Sequence, residues 1–202
     1  IGDIHGCYLE FCRLLKKLKL SPLDRVILLG DLINRGPASA KVVQEAYDRG
    51  LESIMGNHEA DYAQKYKQKE DYKQIRKSLS KGAHKWLINL PLFIKEKNFI
   101  AVHAGLRPNR SPANTEPYIL LSIRTWDGSG RDLTGLKNPP WYRLYKKKRR
   151  VIYGHWALDG LNVRAKTIGL DSGCVYGYQL SAYVLETGEV VQVPAQRAYC
   201  AV

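Results

Sequence analysis

The sequence predicts an α/β fold in which strand ends gather polar ligands, and three observations carry that reading. Strands alternate with helices as far as residue 102. The strands read as continuous apolar runs, as expected of a sheet covered on both faces. Five of these runs end on Asp, Asn or His. They are Ile1-Gly2-Asp3-Ile4-His5-Gly6, Val26-Ile27-Leu28-Leu29-Gly30-Asp31, Ile54-Met55-Gly56-Asn57-His58-Glu59, Ile100-Ala101-Val102-His103-Ala104-Gly105 and Val151-Ile152-Tyr153-Gly154-His155.

The chain opens at Ile1 inside the first run, which leaves room for a short preceding piece. Residues 8–20 form a helix, with Phe11, Leu14, Leu15 and Leu18 on the i, i+3, i+4, i+7 template and cationic side chains in the last turns. Ser21-Pro22 ends it. Residues 25–30 are a buried strand. Pro37 opens the next helix at its first position and Gly50 closes it. Residues 51–55 are a strand. Residues 59–80 read as a polar, Tyr- and Lys-rich helical stretch lying over the surface, and 83–90 as a short helix. Residues 92–94 and 99–102 form a hairpin. From 151 the style turns to β, with strands at 167–170, 179–185 and 190–193, the last two joined by a Thr187-Gly188 turn. Between 106 and 148 lies a Pro- and Gly-rich stretch with one helix near 117–123. It reads as an insertion into a single domain spanning residues 1–202.

A chain of 202 residues and 22.9 kDa builds one substantial core. No apolar run approaches the roughly 18 to 20 residues that cross a bilayer. Cys7, Cys12, Cys174 and Cys200 form no Cys-x-x-Cys pair, which fits reduced thiols in the cytoplasm. Cys7 and Cys12, read as lying in one helix, suit neither a bridge nor a shared metal. The formal charge of +13 draws polyanions. It concentrates in residues 65–85 and in Lys146-Lys147-Lys148-Arg149-Arg150, runs that are either solvated faces or steering surfaces for polyphosphate or RNA.

Oxygen and imidazole donors without thiolate suit Mn²⁺, iron or Zn²⁺. Asp3, His5, Asp31, Asn57, His103 and His155 are too many for one four-coordinate ion but suit two ions sharing a carboxylate. Such a centre clamps an in-line displacement at phosphorus and activates water near neutrality. A lone Gly-Asp or Asn-His pair is more often a turn or a cap. Five segments of one grammar, in order, are not.

Gly2-Asp3-Ile4-His5-Gly6, Gly30-Asp31-Leu32-Ile33-Asn34-Arg35-Gly36, Gly56-Asn57-His58-Glu59, His103-Ala104-Gly105 and Gly154-His155 together resemble the motif series of the calcineurin-like metallophosphoesterases. More narrowly, the chain is similar to the branch of phosphoprotein-phosphatase-like enzymes that includes the symmetrical diadenosine tetraphosphatases. The resemblance implies a four-layer fold, two packed mixed sheets flanked by helices, rather than the single doubly wound sheet that periodicity favours. It implies that Asp3 and His5 hold one metal, that Asp31 bridges, and that Asn57, His103 and His155 hold the other. Manganese is the expected ion, with iron, zinc, cobalt and magnesium as alternatives. His58 would be the general acid, and Arg35 would bind the phosphoryl group. Arg124 is the candidate second phosphate-binding arginine, against a surface ion pair.

In the protein phosphatases of this family the position of Asn34 is usually Asp. Asn34 would accept a hydrogen bond from His58 through its amide oxygen, without adding charge. The Asn34-Arg35-Gly36-Pro37 version looks more like the dinucleotide polyphosphatases. The expected activity is therefore hydrolysis of diadenosine tetraphosphate to ADP, a small polyanionic nucleotide substrate. A Ser/Thr protein phosphatase, a polyphosphatase or an RNA cap hydrolase is the alternative activity, and a non-catalytic nucleic-acid-binding module the alternative class. Trp126, Trp141 and Tyr142 are either base-stacking platforms or core. Asp171 reads as a turn residue, and His84 as a partly buried or surface histidine.

Overall fold

The computed structural model describes residues 1–201. Helix α1 (Tyr8–Leu18) buries Phe11, Leu14 and Leu15 and stops where Lys19 turns left-handed at φ 49°. After β1 (Ile27–Leu28) comes α2 (Ser39–Asp48), which starts two residues later than Pro37 predicts. The reason is local: the Ala38 N–H donates to Gly6 O at 3.1 Å, which holds the preceding turn against the first loop. β2 (Glu52–Ser53) leads to α3 (Asn57–Lys65), α4 (Glu70–Ser78) and α5 (Lys81–Ile88).

The polar stretch expected at 59–80 is thus two helices, not one surface layer. Tyr62 and Tyr72 are buried, with ring centroids 5.2 Å apart in an edge contact. Tyrosines supply the apolar face that a search for aliphatic residues misses. The hairpin of β3 (Phe93–Lys95) and β4 (Phe99–Val102) forms as expected. Then follow α6 (Pro117–Ser122), β5 (Arg150–Tyr153), β6 (Asn162–Val163), β7 (Thr167–Gly169), β8 (Gln179–Tyr183) and β9 (Val190–Pro194). Residues 184–189 join the last two strands, a longer loop than a Thr187-Gly188 turn, closed by Val184 N–H on Glu189 O at 2.9 Å.

One sheet has the order β3-β4-β5-β7-β6. A second is assembled from two pairs, parallel β1 with β2 and antiparallel β8 with β9. The extended residues 1–3 fill the gap between them. Gly2 N–H donates to Ser181 O at 3.0 Å, and Leu29 N–H to Ile1 O at 3.0 Å.

The two sheets pack face to face. Leu29 and Ile54 of the one meet Ala101, Ile152 and Ile168 of the other in a single apolar cluster. Strand alternation sends Ile100, Val102, Val151 and Tyr153 to the opposite face, where α6 residues and Trp141 cover them. On the far side of the first sheet, α1 and α2 cover Leu28, Leu180 and Val193. The architecture is helix, sheet, sheet, helix, as the family resemblance implies. No helix among the described residues is long and apolar enough to cross a membrane.

Candidate metal centre and active site

The predicted ligands and the predicted acid His58 leave the carboxyl ends of runs in both sheets. Asp3, His5, Asp31, Asn57 and His58 come from the first, and His103 and His155 follow β4 and β5 of the second. The single doubly wound sheet that periodicity favours is corrected: the site spans the seam between two sheets, because residues 1–3 pair with β8 and β1 rather than with β4.

These loops are tightly wound. His5, Asp31, Asn34, Arg35 and His155 are five of the seven non-glycine residues described with positive φ, at 45° to 72°. That region costs an L-residue about 1–2 kcal/mol and concentrates at functional sites. Glu59, fully buried, holds the most important of the loops. One carboxylate oxygen accepts the N–H groups of Asp31 (2.7 Å) and Gly56 (2.9 Å), and the other those of Leu32 (2.9 Å) and Ile33 (3.3 Å). Sequence reasoning quoted Glu59 without a role. Its place as the third residue of α3, where a capping-box carboxylate sits, was the available signal. Gly56 leaves no room for a side chain, since a Cβ there would overlap Asp31.

Two donor groups form. His5, Asp31 and His58 make one, Asp31, His103 and His155 the other, and Asp31 belongs to both. His5 Nε2 is 3.5 Å from Asp31 Oδ2, and His103 Nε2 is 3.5 Å from Asp31 Oδ1. Each ring has its Nδ1 proton committed to a backbone carbonyl, Ile33 O at 3.0 Å and Leu29 O at 2.8 Å. Both Nε2 atoms therefore present lone pairs. Asn57 Oδ1 is 2.9 Å from both His103 Nε2 and His155 Nδ1. The three atoms converge as donors that a cation could share.

Asp3 stands slightly apart, both its oxygens accepting the His155 N–H at 3.1 and 3.0 Å. Gly154 permits that approach, since a Cβ there would overlap Asp3.

The electrostatics agree with divalent cations. Burial, with Asp171 and Asp31 close by, raises the Asp3 carboxyl well above its ordinary range. Burial pushes Asp31 up to about 6, Asp171 to about 6 and Glu59 to about 7. Burial lowers His103 to about 4 and holds His5 and His155 well below 6.5. Neutral imidazoles around crowded carboxylates are what hard, positively charged ions stabilise. The donor set fits such ions.

Asp171, read from sequence as a turn residue, does accept the Gly173 N–H at 3.2 Å. It is also buried and adds its charge to the cluster.

His58 sits at the rim, its Nε2 3.9 Å from Asp31 Oδ2. Its Nδ1 is 2.8 Å from Asn34 Nδ2, which also donates to Tyr72 Oη at 3.1 Å. Tyr72 in turn donates to Asp61 Oδ2 at 2.8 Å. The directions are fixed from the far end. The carboxylate only accepts, so the tyrosine proton points to Asp61 and the tyrosine oxygen must accept from Asn34. Asn34 therefore offers His58 its amide nitrogen, not the oxygen that the sequence reading supposed. His58 Nδ1 accepts, and the ring proton lies on Nε2. Neither Tyr72 nor Asp61 carried a sequence signal.

Arg35 donates from Nη1 to His5 Nε2 at 2.9 Å and lies over the Tyr176 ring at 5.6 Å. Arg124 follows α6. Its Nε is buried without a protein partner, and its charge acts on His155 and Asp171. Both arginines thus face the centre, and Arg124 is not in a surface ion pair. Of the two readings offered for Trp126, Trp141 and Tyr142, the structure bears out core: all are buried in the cluster over the second sheet. The half-buried Tyr176 is the aromatic beside the site. His84 is buried, its Nδ1 3.2 Å from Tyr62 Oη. All four cysteines are free. Cys7 precedes α1 instead of lying in it and meets Cys174 and Glu10 in the core.

Comparison with known proteins agrees with this geometry. A family model described as calcineurin-like phosphoesterase matches residues 1–189. The asymmetrical bis(5'-nucleosyl)-tetraphosphatase PrpE of Geobacillus sp. (strain WCH70) is 29% identical, over 98% of this chain and 94% of its own length. A symmetrical bis(5'-nucleosyl)-tetraphosphatase of Aromatoleum aromaticum is 29% identical, over 96% of each chain. A crystal structure of a candidate diadenosine tetraphosphatase superposes with a TM-score of 0.87 at 31% identity, covering 96% of this chain and 91% of that one. The chain belongs to the calcineurin-like phosphoesterase family and is a hydrolase of phosphoester or phosphoanhydride bonds.

Proposed function

We propose that the chain hydrolyses dinucleoside polyphosphates at a two-metal centre, cutting diadenosine tetraphosphate symmetrically into two ADP. The observation that carries this reading is Asp31, common to both donor groups. In it Asp3 and His5 would hold one ion with Asp31, and Asn57, His103 and His155 would hold the other. Divalent ions, manganese foremost and iron, zinc, cobalt or magnesium otherwise, supply Lewis-acid polarisation of the phosphoryl oxygens and activation of water.

The chain's own residues do the rest. Arg35 and Arg124 bring two guanidinium groups to a run of phosphates, which a fork of N–H donors holds better than a point charge does. His58 carries its proton on the nitrogen facing the centre and can donate it as a hydrogen bond to the departing oxygen. With Nδ1 accepting from Asn34 and burial disfavouring the charged ring, it acts as a neutral hydrogen-bond donor rather than as an imidazolium acid. A departing phosphate, whose own pKa is near 6, needs only modest help, whereas a serine alkoxide needs much more. The Asn34 relay therefore favours the anhydride over the phosphoserine substrate. The names of the relatives favour a nucleoside tetraphosphate in the same way.

Product analysis tests the reading. Metal-reconstituted chain is incubated with diadenosine tetraphosphate, a phosphopeptide, long-chain polyphosphate and capped RNA. ADP as sole product supports symmetrical cleavage. AMP with ATP would replace it by the asymmetrical reaction, and turnover of the phosphopeptide alone would sink the nucleotide assignment. His58→Ala should lower kcat on the anhydride about tenfold while metal stays bound. Asp31→Asn should cost both ions.

A further inference from the structure

We propose a second anion site, remote from the metal centre, that takes a short polyphosphate chain, free or carried by a nucleotide. A cavity of about 340 Å³ opens between the β3–β4 turn, the segment after Leu106 and the approach to β5. Lys95, Lys97, Arg110, Lys147, Lys148 and Arg149 line it, and no Asp or Glu does. None of the six takes part in an ion pair among the described residues. In the other basic stretch part of the charge is neutralised, Lys65 and Lys69 being paired with Asp61 and Lys73 with Glu70. Six unneutralised like charges around one concavity repel one another, and a multivalent anion removes that repulsion.

The site is built rather than incidental. Arg149 Nε donates to Lys97 O at 3.0 Å and Tyr145 Oη donates to Arg149 O at 2.9 Å, which ties the two walls together. The terminal nitrogens of Arg149 stay available. Buried Ile100, Leu106, Pro112 and Tyr145 close the base of the cavity. That base also argues against single-stranded RNA. Tyr145 is only 8% exposed, so the cavity offers no open ring for the base stacking on which such sites depend.

The position is distinct from the catalytic one. Lys97 and Arg149 precede β4 and β5, whereas His103 and His155 follow them. Four residues of strand, at about 3.3 Å each, put roughly 13 Å between the two ends. The inference does not depend on which bond the metal centre cleaves.

Calorimetric titration of the metal-loaded full chain tests it, with methylene-bridged triphosphate and the methylene-bridged analogue of ATP as probes. The wild type should bind one equivalent more than K147E/K148E/R149E, with comparable affinity for both probes at that extra site. At the altered site, binding should weaken on the order of a hundredfold, since each reversal turns an attraction into a repulsion. K95E/K97E changes the opposite wall and should lose the same equivalent, which guards against misfolding of either variant. Equal stoichiometry in all three proteins overturns the proposal. So does an extra equivalent that single-stranded RNA takes up and triphosphate does not.

Discussion

A neutral amide stands behind His58 where a carboxylate would make its ring a stronger base. Hydrogen bonds from Asp61 through Tyr72 to Asn34 set which ring nitrogen carries the proton. Tyr72→Phe keeps the ring packing but frees the Asn34 amide to turn. The ring proton can then move to Nδ1, away from the centre. We expect kcat on alkyl phosphate esters to fall about tenfold with KM unchanged, and kcat on the anhydride to fall far less. Equal losses on both substrates would mean that the relay is only structural. Asn34 and His58 were legible in sequence because they belong to contiguous motifs. The relay behind them was not, because a hydrogen bond across 38 positions leaves no local pattern. Asp31 supplies the pH prediction. Its carboxyl, raised to about 6 by burial, takes a proton in the folded chain well before an unfolded aspartate does. Metal binding must displace that proton, so affinity should fall about tenfold per unit below pH 6, read by calorimetry. Folding stability is a poorer readout. Between about 6 and 4 the raised carboxyls gain stability as pH falls, while His103, lowered to about 4, loses it.

At the scale of elements, α3 does more than present Asn57 and His58. Its Glu59 fixes the loop carrying Asp31, and four N–H groups depend on it. Glu59→Gln would set an amide N–H₂ against buried donors and leave some unpaired. We expect a loss of about 3 kcal/mol in urea unfolding, together with weaker metal binding. A loss under 1 kcal/mol would remove the clamp from the account. The helix with an aliphatic stripe, α1, was legible from spacing. The division of 59–80 into α3 and α4 was not, because Tyr62 and Tyr72 make its buried face. The start of α2 slipped from Pro37 for a different reason, a backbone bond to Gly6 formed by tertiary contact.

On the scale of the whole molecule, periodicity favoured one sheet and the structure has two. An apolar run reports that a strand is covered on both faces but not by what. Residues 1–3 look like any other strand in sequence, and only their pairing with Leu29 and Ser181 decides to which sheet they belong. The residues that meet at the site were, by contrast, each quoted from sequence, because strand-end motifs are local. Since they come from both sheets, loaded metal should join the two layers. Removal by chelator should lower Tm by about 10–20 °C, if each of two ions at a hundred times its Kd contributes about 2.7 kcal/mol. Hydrogen exchange should quicken first in the loops after β4 and β5. The left-handed residues of the site have a consequence of another kind. His5, Asn34 and His155 hold conformations that glycine would adopt without penalty. A library of variants selected for thermal endurance alone, with no demand for turnover, should therefore accumulate glycine at these positions. It would lose catalysis before it lost the fold.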